Sequence, residues 1–429
     1  MSRTAPIETG EDISRPHGFD PAKLAQIGPA LQAYVDDGEL AGIVTLTSRA
    51  GEIVQSDALG WSDIESRTPM RPDTLFRIAS MTKPVTSVAA LMLIEDGLIA
   101  LDDPVSRWLP ELANPRVLRN AAGPLEDTVS AEREITVEDL FTHRSGIAYG
   151  FFSEGPIKSA YDRVLGDPGM NRQTVDEWLA ALGSLPLSYQ PGERFHYGHS
   201  TDVLGFLVGR ILGKPFRQVL KERIFEPLEM TDTDFWIPAE KRERLASLYR
   251  YDEQAERLAR VELDMYQAPP DYTPGGGGLI SSAPDYHRFA RMLLGHGAVD
   301  NVRLLKPETV DLMKTNRLTP SQRHIPFAGM PLWEKSGFGL GVSITEDPID
   351  NPYSSGPPGT ITWPGIFGTW WQADPVNDLV MIYMIQHQVP VSANSGSTIA
   401  TGRGAVGRRA LPVYQHGIYA ALDSHPDTD

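Results

Sequence analysis

The sequence predicts an α/β (α+β) fold in which one antiparallel sheet, assembled from the two ends of the chain and flanked by helices, carries a mainly helical insertion. Strand patterns occur early (42–61) and again late (337–386), while the stretch from about 81 to 330 is helical and loop-rich. The expected division is a discontinuous sheet domain of residues 1–80 and 280–429 and a helical domain of residues 81–279, with the active site in the cleft between them. A chain of 429 residues has ample core for such a body and needs no disulfide or metal staple.

The elements follow in order. Residues 22–37 pattern as an opening helix, and GIVTLTSRAGEIVQSDALGW (42–61) reads as a hairpin turning at Arg49 to Glu52. Thr136-Val-Glu-Asp139 and Thr174-Val-Asp-Glu177 both have the capping-box form, a hydroxyl followed three residues later by a carboxylate, so each starts a helix. Another helix begins near Ser200 and carries Val203, Phe206, Leu207 and Ile211 at helical spacing. Strand character returns in GFGLGVSIT (337–345), TITWPGIFGTWWQA (360–373) and DLVMIYMIQ (378–386), the last two separated by the turn-forming DPVN. Pro364 inside the second of these demotes it to a sheet edge, and Trp370 and Trp371 should face opposite sides of it. A helix near 411–422 closes the chain.

Composition narrows the chemistry. Net charge is 39 minus 56, or −17, a field that repels nucleic acid and anionic lipid, so neither a nucleic-acid nor a membrane partner is expected. Cysteine is absent, which excludes disulfides, thiolate metal sites and a cysteine nucleophile. The first residues, MSRTAPIETGEDISRP, lack an apolar stretch after the basic residue and read as a cytoplasmic start. His143, His287, His324 and His387 show no metal-binding spacing, so no metal and no other cofactor is called for.

The stretch RIASMTKPVTS (77–87) places Ser80 and Lys83 three apart where a polar loop becomes an apolar segment. With 28 serines and nine lysines, one Ser-x-x-Lys pair is expected by chance about 0.6 times, so its setting matters more than its occurrence. Val85, Val88, Ala89, Met92 and Leu93 share a helical face, and Leu91 and Ile94 widen it almost all round, the mark of a buried helix. Pro84 is tolerated only in a first turn, which fixes the helix start near Ser80 to Met81 and puts both side chains on one face. The lysine then lies at the positive end of the helix dipole, beside low-dielectric core. Both influences disfavour its charged form and leave a base next to a hydroxyl. A serine cap followed by a lysine reaching to solvent accounts for the tetrad equally well.

A proton must also reach the leaving atom. PGERFHYGHS (191–200) supplies Tyr197 in a short loop between a Pro-Gly turn and a helix start, where a half-buried structural tyrosine is the competing reading. TWPGIFG (362–368) would offer free backbone N–H groups at a sheet edge beside the cleft, one source of an oxyanion hole. Gly198-His199-Ser200 looks superficially like a nucleophile elbow, but Asp202 stands where glycine is needed, and Ser200 is better read as a helix cap. Four glycines at 275–278, with no Gly-Lys-Ser/Thr after them, read as a close-packed turn rather than a phosphate cradle.

Taken in order over roughly residues 25–390, Ser80-Met81-Thr82-Lys83, Tyr197-Gly198-His199 and Trp363-Pro364-Gly365 resemble the three boxes of the serine β-lactamase and penicillin-binding protein superfamily, nearest to class C β-lactamases and family VIII carboxylesterases. His143-Arg144-Ser145-Gly146 and Gly275 to Leu279 are supporting matches. The resemblance implies a β-lactamase-like fold, with Ser80 as acylated nucleophile, Lys83 as its base and Tyr197 as proton relay to the leaving group. It also implies an oxyanion hole from the backbone N–H groups of Ser80 and Ile366, and substrate contacts from Trp363, Gly365, Tyr149 and His199. His199 replaces an asparagine of the class C pattern, and Trp363-Pro364 replaces Lys-Thr. These changes remove a cation that would pair with a β-lactam carboxylate and favour an uncharged ester. The expected activity is therefore hydrolysis of short-chain carboxylic esters, by a monomer or small homo-oligomer. Alternatives are β-lactam or D-alanyl peptide hydrolysis, acyl transfer to a metabolite alcohol, or ligand binding by an inactive member of the fold.

Overall fold

The computed structural model describes residues 16–166, 173–263, 268–348, 351, 354–388 and 403–422. The opening residues 1–15, on which the cytoplasmic reading rests, lie outside the described residues. Eight strands form the main sheet: β1 (Gly42–Arg49), β2 (Glu52–Asp63), β3 (Thr68–Pro69), β4 (Ser336–Phe338), β5 (Ser343–Thr345), β6 (Ile361–Thr362), β7 (Trp370–Asp374) and β8 (Leu379–Met384). They pair antiparallel in the order β4-β5-β6-β7-β8-β1-β2-β3, so the late hairpin is joined to the early one by β8 beside β1, with Leu46 opposite Ile382. The helices that matter here are α1 (Pro21–Asp36), α2 (Thr82–Glu95), α3 (Val137–Phe141), α4 (Val175–Gly183), α5 (Ser200–Leu212), α6 (Ala283–Leu294) and α7 (Val406–Ala421).

The period-2 alternation of β8 explains how the sheet is held. Val380, Ile382 and Met384 enter the large core that contains α2, α5 and Tyr286, Phe289 and Leu293 of α6. Leu379, Met381 and Tyr383 enter a second core, with Ile27 and Leu31 of α1 and Tyr414 and Ile418 of α7. Trp371 and Trp370 divide the same way, as their adjacency on a strand requires. Each such apolar side chain contributes on the order of 1.5–3 kcal/mol by leaving water, so a sheet covered on both faces locks its register firmly.

Both capping boxes form: the Thr136 and Thr174 hydroxyls accept from the backbone N–H groups of Asp139 and Glu177, whose carboxylates accept in return from the cap N–H groups. Four expectations need correction. Residues 337–345 make two short antiparallel strands, because Gly339 to Gly341 reverse the chain, with Gly341 at φ 88°. Pro364 does not sit in an edge strand: β6 stops at Thr362, residues 363–369 form a loop, and β6 and β7 are both interior while β4 and β3 are the edges. Ser200 is the first residue of α5 rather than its cap, and its hydroxyl pairs with that of Ser145 at 2.8 Å. The last helix begins five residues early, at Val406, and contains Pro412. Among the described residues no helix is long and apolar enough to cross a membrane.

Candidate active site

Ser80 lies in a single 3₁₀ turn, Ala79–Met81, that runs directly into α2. From Thr82 to Leu93 every residue of α2 is buried, so the helix is anchored by core on all sides and its first turn cannot drift. Ala79, immediately before the serine, has φ 46°, a left-handed conformation costing a non-glycine residue roughly 1–2 kcal/mol. That turn leaves Ser80 half-buried while Lys83, one turn on, is wholly enclosed.

The Lys83 amine has three neighbours: Ser80 Oγ at 3.2 Å, Tyr149 OH at 3.4 Å and the Gly276 carbonyl oxygen at 2.5 Å. Burial pulls its pKa down from 10.5 to about 7, against a smaller opposing pull from the Asp202 carboxylate. A neutral amine has two N–H donors and one lone pair. The Gly276 carbonyl can only accept, so with the amine neutral one of the two hydroxyls, Ser80 or Tyr149, must donate to it.

Tyr197 donates to Ser80 Oγ at 2.9 Å and accepts from Trp363 Nε1 at 3.1 Å. Its ring is wedged among His143, Phe152, Phe327 and Trp363, with centroids 4.6 to 5.7 Å away. Burial holds its hydroxyl well above the usual tyrosine range, so it is a phenol at neutral pH. The His143 to Gly146 loop supports it from behind: the Gly198 N–H donates to His143 Nδ1 at 3.4 Å and the His196 N–H to the His143 carbonyl at 2.8 Å.

The Trp363 to Gly368 loop is pinned to the nucleophile segment. Thr369 Oγ1 donates to the Ile78 carbonyl at 3.2 Å, and a Cβ on Gly365 would stand 2.5 Å from that same oxygen and 2.2 Å from Thr369 Oγ1, so only glycine fits. The Gly365 N–H is spent on the Thr369 carbonyl at 2.7 Å. Ile366 is 45% exposed, and its N–H donates to no protein acceptor among the described residues.

The structure thus gathers Ser80, Lys83, Tyr197, Tyr149 and Trp363 into one hydrogen-bonded group. His199 sits one layer deeper. It is 4% exposed, with Nδ1 2.7 Å from Asp202 Oδ2 and its ring edge-on to Tyr149 at 4.4 Å, so it faces that carboxylate and ring rather than open solvent. Asp202 is the residue that sequence reasoning passed over. Its Oδ1 accepts from the Gly276 N–H at 2.7 Å, holding the residue whose carbonyl accepts from Lys83, and a Cβ on Gly276 would stand 2.7 Å from both Asp202 Oδ1 and Tyr149 OH. The available signal was a carboxylate on a helix buried from Ser200 to Gly209. The glycine tract is the close-packed turn expected of it. Among the described residues no set of three His, Asp or Glu side chains is placed to hold a metal.

Such a group has the chemistry to take a proton from a serine hydroxyl and return one to a departing oxygen. Comparison with known proteins points the same way. The family model described as Beta-lactamase matches residues 29–400. The chain is 46% identical over 92% of its length to Protein Rv1367c of Mycobacterium tuberculosis, of which it covers 98%. It is 33% identical over 83% of its length to Esterase EstB of Burkholderia gladioli, of which it covers 88%. Its fold matches that of EstCE1, described as a hydrolase with promiscuous acyltransferase activity, with TM-score 0.73 and 25% identity, over 92% of this chain and 99% of that one.

Proposed function

The chain belongs to the Beta-lactamase family and is a serine hydrolase of that fold, and from that premise we propose that it is a carboxylesterase acting on short-chain, uncharged esters through an acyl-enzyme on Ser80. The observation that carries the reading is the pair of contacts on Ser80 Oγ, from Lys83 Nζ at 3.2 Å and Tyr197 OH at 2.9 Å, beside a tryptophan where a β-lactam carboxylate would need a cation.

In the proposed cycle the Ser80 Oγ–H proton passes to neutral Lys83 as the oxygen attacks the ester carbonyl carbon. The resulting oxyanion is held by the N–H groups of Ser80 and Ile366. As the C–O bond to the alcohol breaks, Tyr197 gives its proton to the departing oxygen and is reprotonated from the Lys83 ammonium, so both return to their starting state. Water repeats the sequence on the acyl-enzyme: it loses a proton to the same pair, its oxygen bonds to the acyl carbon, and Ser80 leaves with a proton.

Esterase relatives support ester chemistry, and the aromatic cluster of Tyr149, Phe195, Tyr197, Phe338 and Trp363 favours an apolar acyl or alkyl group over a charged one. Ser80→Ala should abolish p-nitrophenyl butyrate hydrolysis with the circular dichroism spectrum unchanged; retained turnover would overturn the assignment. Nitrocefin should be turned over far more slowly than the butyrate ester, and the reverse ranking would favour β-lactam hydrolysis.

A second reading, acyl transfer, draws on the acyltransferase activity described for EstCE1. An alcohol would then take the place of water in the second half of the cycle. The ester-to-acid product ratio in the presence of added alcohols separates the two.

A further inference from the structure

We propose that Trp363 is a positioning residue: its indole N–H fills an acceptor site on the Tyr197 oxygen, turns the phenolic proton toward Ser80, and thereby fixes the direction in which protons move through the site. The proposal rests on the Ser80-Lys83-Tyr197 reading above and assigns Trp363 a task in addition to any contact with substrate.

The donors and acceptors of the site leave few ways to place its protons. An indole nitrogen donates and cannot accept. Trp363 is 3% exposed, its ring packs against Tyr197, Phe327 and Phe338, and its Nε1 lies 3.1 Å from the Tyr197 oxygen. The Tyr197 proton therefore cannot point at Trp363, and its other partner is Ser80 Oγ at 2.9 Å. Because Tyr197 donates to Ser80, the serine proton in turn cannot point at Tyr197 and is left facing Lys83 at 3.2 Å. At the far end the Lys83 donors go to the Gly276 carbonyl and to the Tyr149 oxygen. Every member has one consistent orientation, running from Trp363 through Tyr197 and Ser80 to the Lys83 lone pair. Reversing any link would leave a buried donor facing a donor, which costs about 1–3 kcal/mol.

The division of labour follows from this polarity. Lys83 is the base for attack by Ser80, and Tyr197 is the acid for the leaving group. A lysine in the place of Trp363 would impose the same direction but add a charge beside the phenol. An indole imposes it with a neutral N–H, which favours the phenolate less than a full charge would, and burial outweighs that pull, so the acid keeps its proton until the alkoxide forms.

The test compares leaving groups. Trp363→Phe keeps a ring against Tyr197 and Phe338 and deletes the N–H. Its kcat/KM, which reports acylation, should fall about tenfold or more for simple alkyl butyrates, whose alkoxide must be protonated. For p-nitrophenyl butyrate, whose leaving group needs no proton, it should fall less than about threefold. In a Tyr197→Phe background the same substitution should cause no further loss on alkyl esters. Equal losses on both ester types, or losses that add to those of Tyr197→Phe, would overturn the proposal and make Trp363 a substrate contact only. The Tyr197→Phe protein gives a second readout should Trp363→Phe not fold: the Trp363 indole N–H resonance should move upfield and lose exchange protection, and an unmoved resonance would contradict the hydrogen bond. Labelling of Ser80 by a fluorophosphonate keeps the two levels apart. An unlabelled wild-type serine sinks the esterase reading itself, whereas a labelled serine with a Trp363→Phe protein that behaves as wild type sinks only this inference.

Discussion

Lys83→Met should destroy activity and, at neutral pH, stabilise the fold. The native amine, buried to a pKa of about 7, has an unfolded-state value of 10.5, so at pH 7 the folded chain holds only about half of the proton that the unfolded chain holds, and that half in a desolvated site. At 1.36 kcal/mol per pH unit the penalty is about 4 kcal/mol at pH 7 and falls below about 1 kcal/mol at pH 10. The sign follows from proton counting. The folded pKa is depressed, so between about 7 and 10.5 the unfolded state binds more protons, wild-type stability rises with pH, and the stability is lost again as pH falls through that window. Methionine has a similar shape and no charge, but it leaves the Gly276 carbonyl without its lysine donor, at a cost of about 1–3 kcal/mol that does not depend on pH. The advantage of Lys83→Met over wild type, measured by urea unfolding, should therefore shrink by about 3 kcal/mol between pH 7 and pH 10. A gap that stays constant across that range would refute the neutral-amine argument, whatever its absolute size.

Three further outcomes follow from the geometry. The acid limb of the kcat/KM profile should titrate near pH 7, and Asp202→Asn, which removes the carboxylate that favours protonated Lys83, should move that limb to lower pH; a shift to higher pH would contradict the assignment. Gly365→Ala places a Cβ 2.5 Å from the Ile78 carbonyl and should cost about 1–3 kcal/mol in thermal or urea unfolding, with a fall in acylation rate as the Ile366 N–H is displaced. Thr136→Ala breaks the capping box of α3, the helix leading into the His143 loop, and should cost about 1 kcal/mol without altering the pH profile.

Much of the site was legible because its parts are local. Ser80 and Lys83 are set by a helix start that Pro84 alone nearly dictates, and Tyr197 by a turn followed by a helix. The capping boxes and the Trp370-Trp371 alternation are equally local and equally plain. What escaped depends on partners far apart in sequence. Pro364 marked a break in hydrogen bonding correctly, but only the pairing of β6 between β5 and β7 shows that the break is a loop at the end of an interior strand. Strands of two or three residues, such as β4 and β5, are fixed by their neighbours rather than by their own pattern. Asp202 could be seen as an anomaly on an apolar helix, but its reach to Gly276, 74 positions away, could not.

The chain has nine lysines, few enough to follow individually by carbon-detected NMR titration of their ε-methylene groups, with Lys83→Met to assign the signal. One resonance should titrate near pH 7 and vanish in that variant. If the Lys83 signal instead titrates above pH 10 with the exposed lysines, no neutral amine stands beside Ser80 at working pH and the proposed chemistry has no base.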